Sequence, residues 1–245
     1  MITNAKDDSM NRKIVMFAFV SMLSILVLAG CAGNDANEDS LSETDGDSEG
    51  IIKDQNLRKA ILEELDLQGS SDDHTRPNKD DLEELISLNA GVLDVTSLEG
   101  LDVAVNLEEL TLGGNNITDI GPLAKLTSLE ILSLASNNIS DLSPLSGVTS
   151  LTRLNLEDNK INEVADLSGL IDLELLNLSD NEVNDISELS TLKSLEVLGL
   201  SNNKVDNVSP LAELTSLKTL FIDNNPLKDL TPVEVLPNLE ELFTE

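Results

Sequence analysis

Residues 107–128 read LEELTLGGNNITDIGPLAKLTS, and the same 22-residue frame recurs without insertion or deletion through the rest of the chain. Leucine stands at Leu107, Leu129, Leu151, Leu173, Leu195, Leu217 and Leu239. Three residues on come Leu110, Leu132, Leu154, Leu176, Leu198, Leu220 and Leu242, and two further on Leu112, Leu134, Leu156, Leu178, Leu200 and Ile222. An asparagine column follows at Asn115, Asn137, Asn159, Asn181, Asn203 and Asn225. A fixed period of this length marks an array of stacked units, none of which can bury its apolar face alone.

The pattern LxxLxLxxN resembles that of leucine-rich repeats. The alternating pair Leu110 and Leu112 predicts a short strand with both leucines on one face, and stacked copies predict a parallel sheet over a leucine core. Asparagine carries both a donor and an acceptor, so the column is expected to bond backbone groups where the chain leaves each strand. Ile117, Ile120, Leu123 and Leu126, spaced by about three residues, predict a tight 3₁₀-like or short helical return. Asp119, Asp141, Asp185 and Asp229 precede that return as candidate caps, and Pro122, Pro144, Pro210 and Pro232 suit its first positions. A degenerate coil at 85–101 comes first, with Leu93 in place of the column asparagine. Before it, two amphipathic helices are expected over about residues 55–66, with Asp54 as cap, and 79–87, covering the end of the leucine stack.

The fold class expected is therefore α/β: a leucine-rich repeat solenoid of about seven coils over residues 85–245, with a helical N-terminal cap over 51–84. The 22-residue period, the phrase Asp119-Ile120-Gly121-Pro122-Leu123 and the helical cap resemble internalins and related bacterial surface proteins over residues 51–245. The chain departs from that family where it stops, inside a strand at Leu242–Glu245. The immunoglobulin-like cap and wall-sorting tail of many internalins are not expected here, so receptor-mediated host entry is not carried over from the resemblance.

The N-terminal residues carry a second signal. Arg12 and Lys13 precede an uncharged apolar run from Ile14 to Leu28, closed by Ala29 and Gly30, the layout of a secretory signal peptide. Leu28-Ala29-Gly30-Cys31 resembles the lipobox of bacterial lipoproteins. The resemblance implies cleavage after residue 30 and a diacylglyceryl group on Cys31, the only cysteine of the chain. Two acyl chains anchor firmly, since each buried methylene contributes about 0.8 kcal/mol. Residues 31–50 are acidic, small and polar, which predicts a disordered tether. Asp45, Asp47, Glu49, Gly50 and Ile52 fit positions of a calcium loop, but Asn56 stands where its bidentate glutamate belongs.

Charge and composition exclude several functions. A formal charge of −31 repels nucleic acid and anionic headgroups. No Trp or Tyr and only four Phe leave no stacking platform. The sole histidine, His74, sits in the polar stretch SSDDHTRPNKDD, which reads as a solvated loop, and no nucleophile–base pair or phosphate cradle is present. Neither an enzyme nor a cofactor or metal site is expected.

Function is expected on the concave face. One outward column reads Glu109, Ile131, Arg153, Leu175, Val197 and Thr219; the next reads Thr111, Ser133, Asn155, Asn177, Gly199, Phe221 and Phe243; a third includes Glu157, Ser179 and Asp223. Ile131, Arg153, Asn155, Leu175, Asn177, Val197 and Phe221 form the candidate protein-binding patch, ringed by Glu157, Asp158, Asp180 and Asp223. The alternative for this patch is scattered apolar residues of no function, with Phe243 shielding the last coil. The expected molecule is a monomeric, lipid-anchored extracytoplasmic protein with a protein ligand. Two alternatives are a calcium- or cation-binding envelope protein using the acidic tether, and an assembly component pairing through an open C-terminal strand edge.

Overall fold

The computed structural model describes residues 50–67 and 76–244. Helices α1 (Gln55–Glu64) and α2 (Lys79–Glu83) precede strands β1 (Ser87–Asn89), β2 (Glu109–Thr111), β3 (Ile131–Ser133) and β4 (Arg153–Asn155), followed by β5 (Leu175–Asn177), β6 (Val197–Gly199), β7 (Thr219–Phe221) and β8 (Glu241–Phe243). The strands form one parallel sheet in sequential order, and each residue pairs with the residue 22 positions away. That register is the sequence period made physical. The degenerate coil supplies β1, so the sheet has eight strands rather than the seven coils expected.

Each coil returns through a 3₁₀ turn, such as Gly121–Lys125, Ser187–Thr191 and Ser209–Glu213, with a short helix α3 (Thr231–Glu234) in the last return. The expected aspartates act here: Asp119, Asp141, Asp185 and Asp229 accept the N–H two residues on at 2.7, 2.9, 2.9 and 2.9 Å. They stand one residue before the N-cap, so they form turns that feed the return rather than cap it directly. Inward leucines, isoleucines and valines from every coil merge into one core running from Ile52 to Leu242. Burying each such side chain stabilises by about 1.5–3 kcal/mol, and a coil has no other means of offsetting its ordering entropy.

The asparagine column stitches neighbouring coils. Asn137 Oδ1 accepts the Ile117 N–H of the preceding coil at 3.0 Å, while Nδ2 donates to the carbonyls of Leu112 and Leu134, both at 3.0 Å. Asn159, Asn181 and Asn203 repeat the arrangement. Asn115 accepts from both Leu93 and Val95, and the half-buried Asn225 accepts from Val205 at 2.9 Å. Each asparagine thus serves the coil before it. The first coil is preceded by helices and no strand, so an amide there has no coil to bond, which accounts for Leu93. Among the described residues, no buried side-chain polar atom lacks a partner.

The cap is pinned to the first coil by one carboxylate. Asp54 Oδ1 accepts the N–H of Asn56 and Leu57 at the start of α1, at 2.9 and 3.0 Å. Its Oδ2 accepts the Thr96 N–H at 2.9 Å, the Thr96 hydroxyl at 3.1 Å and the Ser97 N–H at 3.3 Å. Burial is the largest single influence on this carboxyl and opposes its charge, but the bonds from Thr96, Leu57 and Ser97 together hold it below the usual range. Nearby, Gly100 at φ 91° lets Ile51 pass, since a Cβ there would lie 1.9 Å from the Ile51 carbonyl oxygen. The second cap helix is shorter than expected. It stops at Glu83 rather than residue 87, because Ser87–Asn89 pairs with β2 instead.

Candidate functional site

The sheet face turned away from the leucine core carries two side-chain columns in strand register. Glu109, Ile131, Arg153, Leu175, Val197, Thr219 and Glu241 align across β2 to β8, and all but exposed Glu109 are half-buried. Adjacent strands lie about 4.8 Å apart, so Leu175 and Val197 stand side by side. Arg153 sits between Ile131 and Leu175 and makes no ion pair among the described residues.

The second column divides in two. Ser133, Asn155 and Asn177 are 5%, 6% and 4% exposed, so two members of the expected patch do not stand out as contact residues. The reason is local. Asn155 and Asn177 fold back so that Oδ1 accepts the N–H two residues on, at 3.1 and 3.0 Å, and Asn177 also donates to Glu157 at 2.9 Å. They build the floor of the face. Gly199 follows from this, since a Cβ there would lie 2.3 Å from Asn177 Oδ1. At the far end Phe221 is half-buried and stacks on buried Phe243, ring centroids 4.6 Å apart and planes within 5°. The face therefore passes from a flat polar floor to an aromatic pair.

Acids gather where the strands end. Burial foremost, then the charge of Asp180 and, more weakly, of Asp158, raises the Glu157 carboxyl above its usual range despite the bond from Asn177. Asp180 is raised too, by burial first, against the Asn202 bond at 2.8 Å, with Asp158 and Asp223 adding repulsion. The Ser201 hydroxyl donates to Asp223 at 2.5 Å. Among the described residues, no group of three or more acids, His or Cys is placed to hold a metal ion.

One column escaped the sequence reading. The residue after each strand's exit has positive φ at Val92 (58°), Gly114 (70°), Ser136 (52°), Asp158 (53°), Asp180 (57°), Asn202 (55°) and Asn224 (55°). Glycine, serine, aspartate and asparagine suit the left-handed region; a β-branched residue does not. Val92 is also 80% exposed. The run of small and polar residues 22 apart was the available signal, with valine as its exception.

Cys31, the apolar run 14–28, His74 and the candidate calcium-loop acids Asp45, Asp47 and Glu49 lie outside the described residues. Among the described residues no helix is long and apolar enough to cross a membrane.

The chain matches the family described as Leucine Rich repeats (2 copies) over residues 105–147, 127–172, 171–213 and 193–234. A comparison with curated proteins gives no match. Among solved structures, internalin C2 of Listeria monocytogenes is similar at 30% identity and TM-score 0.64, the match covering 80% of this chain and 95% of that one. Internalin F of the same organism gives 28%, 0.58, 77% and 68%. The plant peptide hormone receptor RGFR1 in complex with RGF2 gives 28% and 0.54, covering 60% of this chain and 25% of the receptor. Repeat, register and these neighbours together place the chain: it belongs to the leucine-rich repeat family, as an internalin-like bacterial protein.

Proposed function

We propose that this chain is a lipid-anchored, extracytoplasmic binding protein that holds another protein against the concave face of its sheet, acting as a monomeric scaffold and not as an enzyme. The observation that carries the reading is Ile131, Leu175 and Val197 in one column and Phe221 in the next, apolar side chains half-buried on a sheet face whose other side already holds the core. Such residues gain most when a partner removes them from water, about 25 cal/mol per Å². That the plant receptor neighbour was solved in complex with RGF2 supports a binding role for such a repeat scaffold. Arg153 contributes a cation within the row, while Asn155 and Asn177 serve by shaping its floor. Anchorage is assigned to a diacylglyceryl group on Cys31, from the lipobox-like LAGC and its apolar approach.

Two experiments separate the halves of the proposal. Detergent-phase partitioning of the protein from its host membrane is expected to place the wild type with detergent and Cys31→Ser with the aqueous phase; equal partitioning of both removes the lipid. For the face, Leu175→Asp with Val197→Asp is expected to abolish capture of a partner while far-UV circular dichroism stays unchanged. Retained capture locates binding elsewhere.

A further inference from the structure

Charge is distributed unevenly over this solenoid. Away from the sheet face, lysines are matched to acids of a neighbouring coil: Lys204 with Glu182 at 2.6 Å, Lys125 with Asp102 at 2.7 Å and Lys193 with Glu213 at 3.0 Å. Around the face Glu196, just before β6, pairs with Lys218 at 2.7 Å, while other acids stand without cations. Glu130 and Glu174 lie just before their strands, and Glu157, Asp158 and Asp180 just after theirs. None of these five makes an ion pair among the described residues. Between the two acidic rims runs the apolar pair Leu175–Val197, aligned in register.

The dimensions constrain what lies there. Glu174 and Asp180 are six residues apart across β5, so the two rims lie at most about 20 Å from one another. A helix with its side chains is about 10–12 Å across, so one such segment fits along the midline with each flank facing a rim. The carboxylates are spread along the face rather than converging on one point, and no group of them is placed to hold a metal ion among the described residues. A broad negative field over an apolar midline matches many cations carried on one polymer.

We propose that the occupant of this face is a lysine- and arginine-rich segment of another protein bearing an apolar stripe. Its aliphatic side chains pack on Leu175 and Val197; its cations meet Glu174 at one rim and Glu157, Asp158 and Asp180 at the other. This rests on the reading of the sheet face as the binding face and adds the chemistry of the partner. Arg153, the one cation within the β4 to β6 columns, interrupts the apolar column beside Leu175 and so confines the apolar contact to β5 and β6, while Glu157 and Asp158 at the exit of β4 face the segment's cations.

The test uses the purified full chain and three fluorescent synthetic 18-residue peptides: leucine–lysine with helical amphipathic spacing, its leucine–glutamate counterpart, and serine–lysine. Binding is read by anisotropy in low salt against two sets of variants. One neutralises the rims (Glu174→Gln, Glu157→Gln, Asp180→Asn); the other removes three charges from the returns (Glu163→Gln, Glu188→Gln, Glu234→Gln). The leucine–lysine peptide is expected to bind best, to lose about tenfold or more in affinity on the rim variant, and to change less than about twofold on the return variant. Equal losses on both variants overturn the proposal, because attraction is then to the net charge alone. Binding of the leucine–glutamate peptide that Leu175→Asp abolishes overturns the basic partner while leaving the face as a binding surface. A leucine–lysine peptide that binds but ignores Leu175→Asp overturns both.

Discussion

Replacing Asn159 by alanine tests the asparagine column at a site where every partner is known. Asn159 Oδ1 accepts the Ile139 N–H at 3.0 Å, and Nδ2 donates to the carbonyls of Leu134 at 3.0 Å and Leu156 at 3.1 Å. These carbonyls are doubly served: Leu134 keeps the donor from Asn137 at 3.0 Å and Leu156 that from Asn181 at 2.9 Å, while the Glu157 carbonyl, which shares Nδ2 at 3.1 Å, keeps the Ser136 N–H at 2.8 Å. Only the Ile139 N–H is orphaned, on a residue with no exposure. An orphaned buried N–H costs about 1–3 kcal/mol, and each bond lost to a still-satisfied carbonyl about 0.5–1.5, so Asn159→Ala is expected to cost about 4 kcal/mol. Asn225 makes the same bonds but is half-buried, and water replaces part of what is lost. Asn225→Ala is expected to cost about 1–2 kcal/mol. Urea unfolding followed by far-UV circular dichroism measures both. A cost at Asn159 under about 1 kcal/mol, or equal costs at the two positions, refutes the reasoning that burial multiplies the value of each amide.

Three further perturbations report on other parts of the structure. Asp54→Ala removes the start of α1 and the acceptor for Thr96 and Ser97, and is expected to cost about 2–3 kcal/mol by the same unfolding assay; because the wild-type carboxyl lies below its usual 3.8, its contribution is present above that value and lost as pH falls through the folded one. Val92→Asn relieves a β-branched residue at φ 58° and is expected to raise stability by about 1 kcal/mol, seen as a higher urea midpoint. Glu157→Gln keeps an acceptor for Asn177 and removes a disfavoured charge. The folded carboxyl is raised above its usual 4.5, so its stabilising contribution is present below that value and lost as pH rises through the raised one. The thermal midpoint of the glutamine variant is thus expected to exceed that of wild type at pH 7 and to converge with it on acidification.

Much of the architecture was legible because one rule repeats. Leucine spacing dictated strand, core and register together, and the asparagine column carried its own bonding requirement. What escaped depends on the ends of the array or on groups far apart in sequence. The run through Leu85 and Leu88 satisfies helical spacing and coil register alike, and pairing with β2 decided for the strand. Asp54 was recognisable as a helix cap, but its bonds to Thr96 join residues 42 apart and left no local trace. At the site, alternation correctly placed Asn155 and Asn177 on the outer side of their strands. It did not show that a short amide folds back onto its own backbone and so becomes floor rather than contact. The apolar residues of the first column have no such bond to make, which is why Leu175 and Val197 remain at the surface that the sequence assigned them.

The central claim, that the sheet face holds a protein partner, is tested most directly by photo-crosslinking in the cell of origin. A photoreactive phenylalanine analogue is placed at Val197 on the face or at Glu188 on the return, and adducts are resolved by mass. A discrete protein adduct from position 197 and none from position 188 is the predicted result. Adducts from position 188 alone, or equally from both, contradict it.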